Sequence, residues 1–286
     1  MASIAYLGPQ GTYSELAAIT FARWLQQTQP QPTSLHAYPS IARAIKATAA
    51  SETDLSVVPV ENSIGGSVTT TLDTLWELDC LNIHQALVLP IHHALLSYGQ
   101  TLDSLTVIYS HPQALAQCQQ WLETHVPQAK LIPTNSTTEA LQYLAGQEAA
   151  AAISSLWAAQ LYAVPILVHP INDHSDNCTR FWVLNRQPST QGSDTSLAFS
   201  LPSNTPGALL KPLQLFATQS INMSRIESRP TKRSLGDYRF FIDIEASLDN
   251  PSTQAALQLL KNCTETLKIF GSYDLLPVDP DADPAP

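Results

Sequence analysis

Several short segments carry residues whose types and spacing suit the binding of a small anion. The first, Gly8-Pro9-Gln10-Gly11-Thr12-Tyr13-Ser14, sets two glycines and two hydroxyls between an apolar run and a helical one. Glycine lets backbone N–H groups approach a ligand, Thr12 or Ser14 can cap the helix, and a helix N-terminus favours an anion. Helix capping alone would also explain it. The segment lacks the G-x-x-x-x-G-K-[ST] spacing of a phosphate loop and the G-x-G-x-x-G spacing of a dinucleotide site. The second segment runs from Pro59 to Ser67 and clusters Glu61, Asn62 and Ser63 before the pair Gly65-Gly66. Such a turn can cradle an anion, although a solvated loop is the plain alternative. Ser110-His111-Pro112-Gln113 and Ser154-Ser155 repeat the pattern directly after strand-like runs.

The last polar segment is Asn172–Cys178, which leads into Thr179-Arg180-Phe181. Arg180 is the only arginine between Arg43 and Arg186, and a guanidinium suits bidentate binding of a carboxylate. Other candidates are weaker. His92 and His93 are adjacent and point to opposite faces of a strand, so they cannot share one metal. Asp173, His174 and Asp176 lack a metal-ligand spacing, no Ser/His/Asp order is assignable, and Cys178 reads as packing. No metal or cofactor is expected.

Elements must place these segments. Strands are expected at 3–7, 34–38 and 55–60, with helices at 13–27, 40–50 and 68–78, an α/β pattern with a largely parallel sheet. A second set follows: strands at 83–89, 93–97, 106–109, 130–133, 149–153 and 166–169, with helices at 112–124, 137–145 and 156–162. Strand 179–184 closes this region. Two lobes are therefore expected within residues 1–185, roughly 1–80 with 175–185 and 81–174, enclosing a cleft at the carboxyl ends of parallel strands. The polar stretch 186–194 reads as a linker. Residues 195–275 read as strand–helix–strand–strand–helix–strand, a ferredoxin-like βαββαβ unit, and 276–286 as a disordered acidic, proline-rich tail.

Composition narrows the function. The net charge of −10 with no basic block disfavours nucleic acid or a membrane surface as partner. No apolar stretch is long enough to span a bilayer, and no secretory signal is read at the start. Four scattered cysteines read as reduced cytoplasmic thiols. Charged residues are 13% of the chain against about 25% in an average domain. Few cations in the first region leave backbone dipoles, hydroxyls and one arginine to hold an anion. Five of the ten glycines, Gly8, Gly11, Gly65, Gly66 and Gly207, fall in the proposed turns. A solute-binding protein or a ligand-sensing regulator would share much of this pattern.

Together these residues resemble the prephenate dehydratase family. Its G-P-x-G-T-[FY]-S turn corresponds to Gly8–Ser14, P-[IV]-E-N-S-x-x-G to Pro59–Gly66, S-H-P-x-A-L-x-Q-C to Ser110–Cys118, and N-x-T-R-F to Asn177–Phe181. Residues 196–273 resemble an ACT regulatory domain, including Gly207-Ala208-Leu209-Leu210 and Glu227-Ser228-Arg229-Pro230. The resemblance implies a two-lobed, periplasmic-binding-protein-like α/β catalytic domain converting prephenate to phenylpyruvate, with loss of carbon dioxide and the ring hydroxyl. Thr179 would assist hydroxide departure, and Glu61 would orient or supply the proton. Thr12, Ser14, Asn62, Ser63, Gly66, Ser110, His111, Gln113, Ser155, Asn177, Arg180 and Phe181 would contact the substrate. Residues Gly207–Leu210 and Glu227–Pro230 would hold L-phenylalanine between paired ACT modules of a homodimer or homotetramer. Arogenate dehydratases carry the same motifs, so the substrate stays open between prephenate and arogenate.

Overall fold

The computed structural model describes residues 1–276 and 278. The first lobe is built from β1 (Ala2–Leu7), α1 (Tyr13–Thr28), β2 (Thr33–Tyr38), α2 (Ile41–Ala49), β3 (Leu55–Asn62), β4 (Gly66–Ser67), α3 (Thr69–Trp76) and β5 (Asn82–Pro90). The second comprises β6 (His93–Leu96), β7 (Val107–Ser110), α4 (Pro112–Gln117), α5 (Gln119–His125), β8 (Lys130–Pro133), a 3-10 turn at Glu139–Leu144, β9 (Ala150–Ser155), α6 (Leu156–Leu161) and β10 (Ile166–Val168). The chain returns through β11 (Cys178–Asn185). It then forms β12 (Asp194–Ser200), α7 (Leu210–Thr218), β13 (Met223–Pro230), β14 (Tyr238–Ile244), α8 (Pro251–Cys263), β15 (Thr266–Tyr273) and β16 (Leu275–Leu276).

The first sheet has the order β16-β5-β11-β3-β1-β2, with β4 paired to β3. Its β1, β2 and β3 are parallel, while β11 runs antiparallel to both β3 and β5. The second sheet, β10-β6-β9-β7-β8, repeats the plan: β7 is parallel to β8 and β9, and β6 is antiparallel to β9. Buried runs such as Leu55-Ser56-Val57-Val58 explain the parallel centre, because such strands are covered on both faces. The C-terminal sheet, β13-β14-β12-β15, is antiparallel throughout, and α7 and α8 pack on it to complete the ferredoxin-like unit.

Alternation along the first sheet creates two different faces. Tyr6, Val57, Phe181 and Val183 pack with Phe21 of α1 on one side. Ala5, Val58, Val60, Trp182 and Leu184 face the other side. There they meet α2, α3 and four residues of the C-terminal domain, Ala198, Phe241, Phe270 and Tyr273. Fully burying each large apolar side chain contributes about 1.5–3 kcal/mol, so this shared core binds the C-terminal sheet firmly to the back of the first lobe.

The structure corrects several expectations. Strand β5 lies in the first sheet, not the second lobe, because β11 hydrogen-bonds along its whole length. The expected helix 112–124 is interrupted at Cys118; the Asp173 carboxylate, far along the chain, accepts from Gln120 N and Trp121 N at 2.9 Å each and caps a new helix. The expected helix 137–145 is a 3-10 turn, and the first helix of the expected βαββαβ unit runs only from Leu210 to Thr218. Leu276, read as part of the tail, pairs with Leu87 in β16. The rest of that tail lies outside the described residues, apart from Val278, which packs against the α1 core.

Candidate active site

Strand β3 ends at Glu61-Asn62, and β11 begins Cys178-Thr179-Arg180. Their register pairs Asn62 with Thr179 and Glu61 with Arg180. Each pair therefore shares one face, and adjacent pairs face opposite ways.

Asn62 is the hub of the cleft face and is 5% exposed. Its Oδ1 accepts from Gly65 N at 2.7 Å, Ile64 N at 3.2 Å and Gln117 Nε2 at 3.1 Å. Its Nδ2 donates to Asn177 Oδ1 at 2.8 Å, to the Cys178 carbonyl at 3.0 Å and to Thr179 Oγ1 at 3.0 Å. Backbone partners fix which end is which: Gly65 N can only donate and the Cys178 carbonyl can only accept. Asn177 Nδ2 in turn donates to Gln117 Oε1 at 3.1 Å, closing a ring of three amides, Asn62 to Asn177 to Gln117 to Asn62. His93 Nε2 lies 2.9 Å from the same Gln117 oxygen, so Nε2 carries the proton. The imidazole turns its Nδ1 toward the Tyr13 hydroxyl, which itself donates to the His92 carbonyl at 2.7 Å. Burial lowers the His93 pKa below its ordinary value and keeps the ring neutral.

The ring also orients the Thr179 hydroxyl. Asn62 donates to its Oγ1, which leaves the hydroxyl proton free to point at a third atom. Thr179 is 9% exposed and thus near, but not sealed from, the cleft.

The two lobes meet through the glycine turns. Gly11 has φ +85°, and a Cβ there would lie 3.0 Å from the Tyr162 ring, 3.1 Å from Thr138 Cγ2 and 3.3 Å from Ala158 Cβ. Only glycine tolerates both that backbone and that approach. Ser155 Oγ, the N-cap of α6, donates to the Gly11 carbonyl at 2.9 Å. Glu15, which is 5% exposed, accepts from Gly11 N at 2.6 Å, Tyr6 Oη at 2.9 Å and Trp157 Nε1 of the second lobe at 2.6 Å. At the other turn, a Cβ on Gly65 would lie 2.9 Å from Gln113 Nε2.

Many residues expected in the site lie here with structural partners. Thr12 caps α1, accepting from Glu15 N at 3.3 Å, and Ser14 is buried in the first helical turn. Ser63 Oγ accepts from Cys178 N at 3.0 Å, and Gly66 has φ +73° in open space. Ser110 is fully buried and donates to the Ile153 carbonyl at 2.7 Å. His111 Nδ1 accepts from Gln113 N at 3.2 Å, and burial lowers its pKa.

Glu61, Arg180 and Phe181 lie elsewhere. Glu61 and Arg180 are on the opposite face, toward the C-terminal domain, where Arg180 Nη1 donates to Asp243 Oδ2 at 3.2 Å. In this structure the guanidinium expected to contact substrate is therefore held in an interdomain ion pair, on the opposite side of the strand from Thr179. Phe181 is 1% exposed in the α1 core. Glu227 and Arg229 also face the first lobe: Ser67 Oγ donates to Glu227 Oε2 at 3.0 Å, and Arg229 forks onto Asp73 at 3.2 and 3.1 Å. Ser228 and Pro230, which alternate with them, are exposed. Gly207, at φ +79°, turns the chain through Ala208 and Leu209 into α7, whose first residue, Leu210, is 63% exposed.

Gln117, Tyr13 and Glu15 are not among the expected site residues, and His93 counts there only as a weak metal candidate. Gln117 and Tyr13 fall inside quoted motifs, so a signal existed; Glu15 gave none beyond a polar residue in an apolar run. Two cavities, about 130 Å³ beside Arg233 and Glu265 and about 340 Å³ beside His84 and Arg186, lie away from the ring. Among the described residues, no cluster of three or more His, Cys, Asp or Glu is arranged to hold a metal ion.

Two α/β lobes clasped around an amide ring, with a ferredoxin-like module on the back, define a two-lobed α/β protein with an appended C-terminal module. A prephenate dehydratase family model matches residues 4–189, and an ACT domain model matches residues 195–260. The prephenate dehydratase of Lactococcus lactis is 35% identical over 278 residues, covering 94% of this chain and 96% of that protein. The structure of prephenate dehydratase from Arthrobacter aurescens in complex with L-Phe superposes with a TM-score of 0.84 at 32% identity, covering 99% of this chain and 92% of that one. The quorum quenching acylase GqqA superposes at 0.81 with 30% identity, covering 96% and 98%. The chain belongs to the prephenate dehydratase family and carries an ACT domain.

Proposed function

We propose that the protein converts prephenate to phenylpyruvate and that phenylalanine bound to its ACT domain regulates the reaction. The observation that carries the catalytic part is Thr179, whose hydroxyl oxygen accepts from Asn62 and whose proton is free to be donated. The substrate is a dianion that loses carbon dioxide and the ring hydroxyl. Aromatisation drives the reaction, so the protein's task is to hold the dianion and stabilise departing hydroxide. A threonine hydroxyl is a weak acid, so Thr179 acts as an oriented hydrogen-bond donor. Donors aimed at developing charge are worth about 10²–10³ in kcat.

Glu61 and Arg180 have no part in this reading, since their strand positions turn them away from Thr179. Carboxylate binding falls to the polar turns at Gly11–Ser14, Asn62–Gly66 and Ser110–Gln113. Regulation is supported by the ACT match and by the L-Phe complex of the Arthrobacter relative. Exposed Leu210, Ile226, Leu259 and Ile269 on the C-terminal domain support pairing of two copies. We place the enzyme in the cytoplasm, on the biosynthetic role of its relatives and its free cysteines. Ser110 and Ser155 donate their hydroxyls to backbone carbonyls, so neither is activated as the nucleophile an acylase would need.

Incubation with prephenate and, in parallel, with arogenate tests the reading. Phenylpyruvate absorbance should rise with prephenate. Turnover of arogenate alone would reassign the substrate, and turnover of neither would overturn the reading.

A further inference from the structure

Behind the Asn62–Thr179 pair, four charged side chains form a closed, alternating ring. Asp243 Oδ2 receives Arg180 Nη1 at 3.2 Å and Arg225 Nη1 at 3.4 Å. Glu61 faces the same two arginines at longer range, 3.9 Å to Arg180 Nη1 and 3.8 Å to Arg225 Nε. The quartet is neutral, and its C-terminal half is deeply buried: the Asp243 side chain is 2% exposed and that of Arg225 6%. Ser196 Oγ fixes the other Asp243 oxygen at 2.6 Å.

The arrangement is lopsided. Both arginines lean toward Asp243, and Arg225 Nε is buried without a hydrogen-bond partner. An unmade buried hydrogen bond is unfavourable, so the Glu61 carboxylate, less than an ångström beyond hydrogen-bond range of that N–H, marks a second arrangement in which the arginines turn to Glu61. The two arrangements would pull differently on the end of β3. Arg225 Nη2 also donates to Ser67 Oγ at 3.0 Å, and Ser67 pairs with Glu61 across β3 and β4. The C-terminal domain therefore grips the Glu61–Ser67 turn at both ends, and Asn62, which orients Thr179, lies within the turn. Arg225 is on β13, the strand that carries Glu227–Pro230.

We propose that Asp243 is a positioning residue: through Arg180 and Arg225 it transmits the state of the C-terminal domain to the Asn62–Thr179 pair. This rests on the reading of that domain as a phenylalanine sensor. Coupling between sites needs a two-state element that both sites bias, and the quartet is assigned that part.

The test is inhibition of prephenate turnover by phenylalanine, with phenylalanine binding measured separately by calorimetry. Asp243→Asn should keep kcat without effector within about threefold and still bind phenylalanine, while half-inhibition moves up by at least about tenfold. Arg225→Lys keeps the positive charge but cannot span Asp243 and Ser67 at once; it should shift inhibition the same way and serves if Asp243→Asn fails to fold. Asp79→Asn, which breaks the neighbouring Lys268 ion pair at an exposed carboxylate, should leave inhibition unchanged. Wild-type inhibition in the Asp243 or Arg225 variant, an equal shift in the Asp79 variant, or loss of phenylalanine binding itself would overturn the proposal. A wild-type enzyme indifferent to phenylalanine would instead remove the sensor reading, and the coupling with it.

Discussion

Replacing Asn62 by Asp changes one atom of the amide ring and should reverse the polarity of Thr179. Oδ1 keeps its three donors, Ile64 N, Gly65 N and Gln117 Nε2. The second oxygen now faces Asn177 Oδ1 at 2.8 Å, the Cys178 carbonyl at 3.0 Å and Thr179 Oγ1 at 3.0 Å. The Cys178 carbonyl cannot turn, and an Asn177 flip only moves the conflict to Gln117. At about 1 kcal/mol for each lost hydrogen bond, Asn62→Asp should cost about 2–3 kcal/mol of stability, read as a lower urea midpoint. Thr179 can rotate its proton onto the new carboxylate, which withdraws that proton from the substrate. The kcat should then fall by about 10²–10³. Thr179→Ala acts on the same hydroxyl, so in a double-mutant cycle the double variant should be no slower than the slower single variant, within about twofold. Losses that multiply, or a near-normal kcat in folded Asn62→Asp, would refute the oriented-donor argument.

Two further perturbations probe the frame around the ring. Gly11→Ala must accept φ +85° and a Cβ within 3.3 Å of three second-lobe atoms, so lobe contact should weaken and KM should rise more than kcat falls. Equal kinetic constants in that variant would show that the turn does not set lobe approach. For His93, burial lowers the folded-state pKa below 6.5, so the unfolded chain binds the proton more readily. Stability should therefore fall as pH drops below about 6.5, and His93→Gln should flatten the urea midpoint between about pH 5 and 7. An unchanged slope would place the proton-linked loss at other histidines, such as His84 or His169, whose pKa values burial also lowers.

Much of the fold is legible in the sequence because its strands are short apolar runs bounded by Gly, Pro or polar clusters, as at Leu7-Gly8-Pro9. What escaped is tertiary. The break at Cys118 depends on Asp173, and β16 exists only because Leu275-Leu276 meets the free edge of β5. The site shows a subtler case. Its motifs are contiguous, which invites the inference that Glu61, Asn62, Thr179 and Arg180 act together. Strand parity forbids that: once Asn62 and Thr179 face the cleft, Glu61 and Arg180 must face away. Which member of each pair faces the cleft was not available from the sequence, because the β3–β11 register skips Val60 and so puts both Val60 and Glu61 on the side of the C-terminal domain. Nor was the Asp243 carboxylate waiting on the far side, because no local pattern links it to Arg180.

The most direct test of the account is the steady-state rate of phenylpyruvate formation by the wild type and by Thr179→Ala. The account predicts turnover of prephenate by the wild type. It predicts a kcat lower by about 10²–10³ in the variant, with KM little changed and partial recovery in Thr179→Ser. A Thr179→Ala enzyme that turns prephenate over at the wild-type rate would contradict it.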